Sequence, residues 1–181
     1  MATYYTRINK RLTASDGDST DQGDITGSPE GMSCGISSKT HGYRVGGGSN
    51  NEIDRFAFAS STGSTDVGDL PNSKWQGAGC SSTTHGYAGG GANPAPHSYV
   101  SDIQKFAYAA SSNSASVGSL TQARRGNGTQ PSSTTHGYCC GGYVQYTNVN
   151  TIDRWPFASD AGATNVGDMT GNITGAAGCQ Y

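Results

Sequence analysis

The sequence predicts an all-β fold in which four copies of one sheet unit stack face to face. Three observations predict it. A seven-residue stretch recurs: Ser81–Tyr87 and Ser132–Tyr138 both read SSTTHGY, and Ser37–Tyr43 reads SSKTHGY. A second block recurs between these copies: IDRFAFASSTGSTDVGDL from Ile53, IQKFAYAASSNSASVGSL from Ile103 and IDRWPFASDAGATNVGDM from Ile152, with a degenerate copy, INKRLTASDGDSTDQGDI, from Ile8. The four copies start 45, 50 and 49 residues apart, a period that belongs to repeat architectures. Finally, the repeated IDRFAFA segment is apolar on both faces, so it needs cover on both sides.

Each element of the unit follows from its residues. THGY is followed by two or three glycines (46–48, 89–91, 141–142), which admit positive φ or close backbone approach. Then come loops of unequal length, GGGSNNE, GGGANPAPHSYVS and GGYVQYTNVNT. In IDRFAFA, Phe56 and Phe58 share one face and Ile53, Ala57 and Ala59 the other, the period-two pattern of a strand. Sheets stacked radially would fit the bulky face of one against the small face of the next. Units three and four keep the scheme with Phe106 and Tyr108, then Trp155 and Phe157. Unit one breaks it, because Asn9, Arg11 and Thr13 hold the bulky-face positions; these three mark a seam, or a face covered from outside the chain. SSTGST, SSNSA and SDAGAT are turn chemistry, and VGDL is a short closing strand.

Composition agrees. Of 181 residues, 28 are Gly, 10 Tyr, 4 Phe and 2 Trp, with a formal charge of −2; disordered chains combine few aromatics with high net charge. The near-neutral balance gives no electrostatic footprint for nucleic acid or an anionic membrane. No apolar run reaches membrane-spanning length, and MATYYTRINKRL has no apolar signal-peptide core, so synthesis in a host cytoplasm is expected. The five cysteines (34, 80, 139, 140, 179) are odd in number and lack CxxC spacing, which reads as free thiols.

The order THGY, Gly-Gly, variable loop, aromatic strand, turn and short strand resembles the kelch repeat. The wording STTHGYxxGG…IDRFxFASD…TxVGDLT resembles kelch-like repeats abundant in virion proteins of marine bacteriophages. The resemblance covers Ile8 to Cys179, a single domain over residues 1–181 with repeat cores starting at about 8, 53, 103 and 152. It implies a β-propeller associated with a virion, and no activity. The chain starts inside a unit and ends in TGAAGCQY, which matches QGAGCSS ahead of THGY. The two ends would therefore close a four-bladed ring, with Ala2–Thr6 in place of a missing THGY strand; the alternative is a share of a larger ring completed by a second chain.

Candidate chemistry is sparse. His41, His85 and His136 could converge on an axis and hold a metal, but no carboxylate stands at fixed spacing beside them, and a repeated residue reads as packing within its own unit. Asp16–Asp24 resembles a calcium loop, yet Asp21 and Gly27 stand where an EF-hand needs Gly and Glu. There is no GxSxG elbow, and the recurring acids (Asp54, Asp69, Asp153, Asp168) read as turn and ladder residues. No enzyme and no cofactor are expected. The irregular residues Trp75, His97, Tyr99, Tyr143 and Tyr146 are the candidate partner or ligand contacts. The expected function is a structural or decoration protein docking on capsid or tail, with other virion proteins or copies of itself as partners. The alternative is a tail-fibre module holding host surface glycans.

Overall fold

The computed structural model describes residues 6–11, 17–27, 31–94, 98–126, 128–175 and 178. Among these the chain is all-β, with four sheets and no helix. Sheet I is β1 (Arg7–Lys10) and β2 (Thr20–Asp24). Sheet II is the antiparallel meander β3 (Cys34–Ser37), β4 (His41–Gly47), β5 (Asn50–Ala57) and β6 (Thr65–Asp69). Sheet III repeats it as β7 (Ala78–Ser81), β8 (His85–Gly89), β9 (Asp102–Ala107) and β10 (Ala115–Ser119), and adds the short β11 (Gly128–Thr129), parallel to β7. Sheet IV is β12 (His136–Val144), β13 (Thr147–Pro156) and β14 (Thr164–Asp168). The bridge Ser132↔Gly137 in sheet IV occupies the same place as the pairs Ser37↔Gly42 and Ser81↔Gly86.

The predicted unit is thus present, and the second serine, the glycine and the tyrosine of SSxTHGY each have a local task. Ser38, Ser82 and Ser133 accept hydrogen bonds from the histidine amide at 3.0 Å and close the turn between first and second strands. The glycine lies beneath the aromatic ring of the neighbouring third strand. A Cβ on Gly137 would stand 2.6 Å from the Trp155 ring and 2.7 Å from Cys80 Sγ. The tyrosine crosses to the next sheet: Tyr43 stacks on Tyr108 at 5.0 Å and tilts against Phe106 at 5.4 Å, and Tyr87 stacks on Phe157 at 4.8 Å.

Bulky and small faces meet as the sequence predicts. One core joins Tyr43, Ile53, Val67 and Leu70 of sheet II to Phe106 of sheet III. A second joins Tyr87, Ile103 and Leu120 of sheet III to Trp155 of sheet IV. The VGDL glycine makes each outer contact. All four pairings of third and fourth strands shift register close to it, a β-bulge. A Cβ on Gly23, Gly68 or Gly118 would fall 2.5, 2.4 or 2.7 Å from backbone of the following sheet, whereas Gly167 in sheet IV meets nothing within 4 Å.

Two faces of the stack are exposed at positions where the sequence repeats a bulky or branched residue. On sheet IV, Val166 is 43% exposed where the equivalent Val67 is 8% exposed; Tyr138 is half-buried where Tyr43 and Tyr87 are buried. On sheet II, Phe58 is 40% exposed, and the only ring contact of Phe56 and Phe58 among the described residues is with each other, at 6.1 Å.

These surroundings separate two identical substitutions. Gly137→Ala should cost about 1–3 kcal/mol, because Trp155 and Cys80 are packed from behind and cannot yield. For Gly42→Ala the nearest atoms are those of the Phe56 ring, which is half-buried and can turn aside, so the cost should fall below about 1 kcal/mol. Urea midpoints at unchanged slope measure both.

Candidate functional site

Three of the five irregular residues come together. Trp75 follows β6 and Tyr99 precedes β9, and both bridge to Ala92 between them. Tyr143 lies on β12, and its backbone pairs with Arg125 (N–H to O distances of 3.2 and 2.8 Å). This places the Arg125 guanidinium 5.7 Å from the Trp75 ring centroid, 5.3 Å from Tyr99 and 5.1 Å from Tyr143. Tyr99 and Tyr143 also meet edge to face at 6.2 Å. Arg125 donates to Gln76 Oε1 as well, so a bond and three rings hold its plane. Repeat alignment sets Arg125 against Trp75 as its counterpart; in the structure it is its partner. The arrangement is a cation enclosed by aromatic faces.

Beside this cluster lies a cleft of about 580 Å³ lined by Ser98, Tyr99, Gln122, Ala123, Val144, Gln145 and Tyr146. Tyr146 is 90% exposed at the tip of the β12–β13 hairpin. It and Gln145 both have positive φ, 75° and 38°, the geometry of a two-residue primed turn, where glycine or asparagine is usual. A bulky ring is held outward there against backbone preference. His97 lies outside the described residues.

A second cleft, of about 560 Å³, borders the aromatic pair Phe56 and Phe58 of sheet II. Phe56, Phe58, Gly42 and Ile36 form one wall; Cys80, Ser81, Gln130, Ser132 and Gly178 face them. Asn9 and Arg11 of the predicted seam are exposed nearby in the chain, and Lys10 Nζ donates to Phe58 O at 2.9 Å, fastening sheet I to sheet II. Thr13 lies outside the described residues, as do Ala2–Tyr5.

The three repeated histidines stay within their own units. In each, Nδ1 lies 2.8 Å from the hydroxyl of the preceding threonine, Thr40, Thr84 or Thr135. Burial, with Lys105 adding to it, lowers the His85 pKa, and Asp160 opposes. Among the described residues no group of three or more His, Cys, Asp or Glu could hold a metal ion. Cys34, Cys80, Cys139 and Cys140 are free thiols. Burial pushes Cys34 and Cys139 up to about 11, raises Cys80 well above the usual thiol value and raises Cys140. A thiol kept protonated is a poor nucleophile or ligand.

Sequence reasoning missed what two recurring acids do. Asp54 and Asp153 are fully buried. Asp153 pairs with Arg124 at 2.9 Å, and its two oxygens accept from the Thr121 amide and hydroxyl at 2.9 and 2.6 Å. Asp54 pairs with Arg44, Nε to Oδ2 at 2.6 Å, and accepts from the Thr26 hydroxyl. Each aspartate thus ties its sheet to the threonine that ends the preceding one. The recurrence of Thr at that point (Thr26, Thr121) was the available signal. No protein-family model and no curated protein matches this chain.

Proposed function

We propose that the chain is a non-enzymatic assembly module, a small kelch-like propeller left open on one side that docks on other proteins of a bacteriophage particle. The carrying observation is the pair of leftover faces: positions buried or half-buried between sheets II, III and IV, Val67 and Val117 in one set and Tyr108 and Phe157 in the other, are exposed on sheet IV at Val166 and on sheet II at Phe58. Large exposed apolar surface on a soluble protein marks a contact site. A propeller is supported by β3, β7 and β11 lying against one another where the sheets converge, and by Gly178 reaching the same cleft. The virion setting rests on the resemblance of the repeats.

Immunogold labelling of purified particles with antibody to this chain tests the reading. Gold on capsid or tail, with a Val166→Glu chain failing to dock on particles that lack the protein, is the expected result. Particles without label sink it.

A second reading has its own observation. Trp75, Tyr99 and Tyr143 gathered around Arg125, with Tyr146 raised beside them, form the kind of aromatic surface on which sugars stack. Under it the chain is a tail-fibre module holding a host glycan. A glycan array should then show a signal that Tyr146→Ala abolishes without changing the melting temperature; silence across the array removes this reading.

A further inference from the structure

We infer that one copy of this chain docks on a second head to tail, the segment just ahead of β2 in one copy seating on the bulge of β14 in the other. The inference rests on the docking reading above and names the partner as a second copy.

The template is a backbone contact that the chain already makes three times. The segment ahead of the last strand of one sheet lies on the bulge glycine of the sheet before it. Its final amide donates to the carbonyl that follows that glycine. Ser64 N donates to Asp24 O at 2.9 Å, Ser114 N to Asp69 O at 2.9 Å and Ala163 N to Ser119 O at 2.8 Å. The donor residue is Ser or Ala, so its side chain matters little. The contact also forms between sheets I and II, where Gln22 stands in the place of Val67 and Val117.

Both halves of a fourth contact are exposed. On sheet IV every residue of β14 is exposed, and a Cβ on Gly167 would meet nothing within 4 Å. Gly167 has a φ of 149°, against 152° at Gly68, so the accepting backbone already has the shape of an occupied junction. On sheet I the aligned donor segment is residues 17–19. All three are exposed, and a Cβ on Gly17 would meet nothing within 4 Å. Ser19 stands directly ahead of β2, where Ser64, Ser114 and Ala163 donate in their own units. Asp18 aligns with Asn113, whose Oδ1 accepts from the Asp69 amide at 3.0 Å; its carboxylate can accept from the Asp168 amide in the same way. Within one copy these halves do not meet, since neither glycine has a neighbour at that distance among the described residues.

Charge points to the same occupant. Across the junction of sheets III and IV, Lys105 on β9 pairs with Asp160. Arg154 holds the place of Lys105 on β13, is exposed and forms no ion pair among the described residues. In the first repeat the residue aligned with Asp160 is again an aspartate, Asp16, where units two and three have Ser61 and Ser111; Asp16 lies outside the described residues. The two halves belong to different sheets, so the docking is heterologous and either closes as a ring of copies or continues as a filament.

The test uses the intact chain and two variants, each altered at one half. Ser19→Pro removes the donating amide. Arg154→Glu with Val166→Glu places two carboxylates at the accepting face. Light scattering should show the molar mass of the wild-type protein rising above one chain with concentration, while each variant alone stays at one chain. Mixed in equal amounts, the variants should form pairs and nothing larger, because one intact segment and one intact bulge remain between them. A misfolded variant cannot imitate pairs that appear only on mixing. A wild-type chain that stays single at every concentration overturns the inference, as do variants that stay single when mixed. Labelled particles with a chain that stays single would overturn docking by a second copy alone; pairs on mixing with unlabelled particles would overturn only the virion setting.

Discussion

Asp153→Ala should destabilise the protein by about 3–5 kcal/mol, the range for removing one partner of a buried ion pair. Both Asp153 and Arg124 have no exposed side-chain surface. Without the carboxylate, Arg124 keeps one acceptor, the Cys139 carbonyl at 3.1 Å. Its Nε and Nη1 already lack hydrogen-bond partners among the described residues, so the charge would be left almost uncompensated. Thr121 would lose its acceptors at the same time. Since domains of this size are stable by about 5–15 kcal/mol, the variant should approach unfolding at body temperature. Replacing both partners, Arg124→Met with Asp153→Leu, should recover most of the loss, because an apolar pair needs no compensation. Denaturant melts of the two variants decide the matter: a loss under about 1 kcal/mol for Asp153→Ala would mean that water reaches Arg124.

Trp155→Ala should cost a similar amount, about 3–5 kcal/mol. Its ring is 1% exposed, lies over Gly137 and completes the core shared by sheets III and IV. Truncation would empty a space that Cys80, Tyr87 and Leu120 cannot refill without moving backbone. Phe58 occupies the matching face of sheet II, but at 40% exposure, and Phe58→Ala should cost about 1 kcal/mol or less. The contrast matters more than either value. Equal costs would show that the face of sheet II is covered in solution, and a concentration-dependent Phe58→Ala melt would identify a second copy as the cover.

Much of this was legible in the sequence, for a physical reason. A repeat states each constraint several times, so the turn serine, the glycine under a ring and the tyrosine that crosses to the next sheet could be read as scaffold. The period-two split between Phe56 and Ile53 foretold which faces meet. Trp75, Tyr99 and Tyr143 stood out because nothing in the repeat accounts for them, and they do converge. The buried ion pairs were hidden by the same logic. Arg44 sits on a second strand, where Ala88 and Cys139 are its counterparts, and Arg124 sits on a connection opposite Lys74. The aspartates recur but their cations do not share a position, so no spacing rule pairs them. Asn9 and Arg11 were read as a seam from their polarity. The sequence did not show that Phe58 stands exposed on sheet II, because Phe56 and Phe58 follow the same pattern as Phe106 with Tyr108 and Trp155 with Phe157.

The way the sheets touch has a consequence for how such a chain can change over generations. The junctions between sheets II, III and IV are each made from the tyrosine and bulge glycine of one sheet and the aromatic strand and turn of the next, and these parts are nearly the same at both. Recombination between neighbouring copies could therefore delete or duplicate about fifty residues and regenerate the same junction each time. Stability in such arrays sums over units and their nearest neighbours, so lengthening or shortening leaves the surviving junctions unstrained and alters only the arc they trace. Unit number is open to selection while the interface stays constant, and the loops that differ between units carry variation that the junctions never feel.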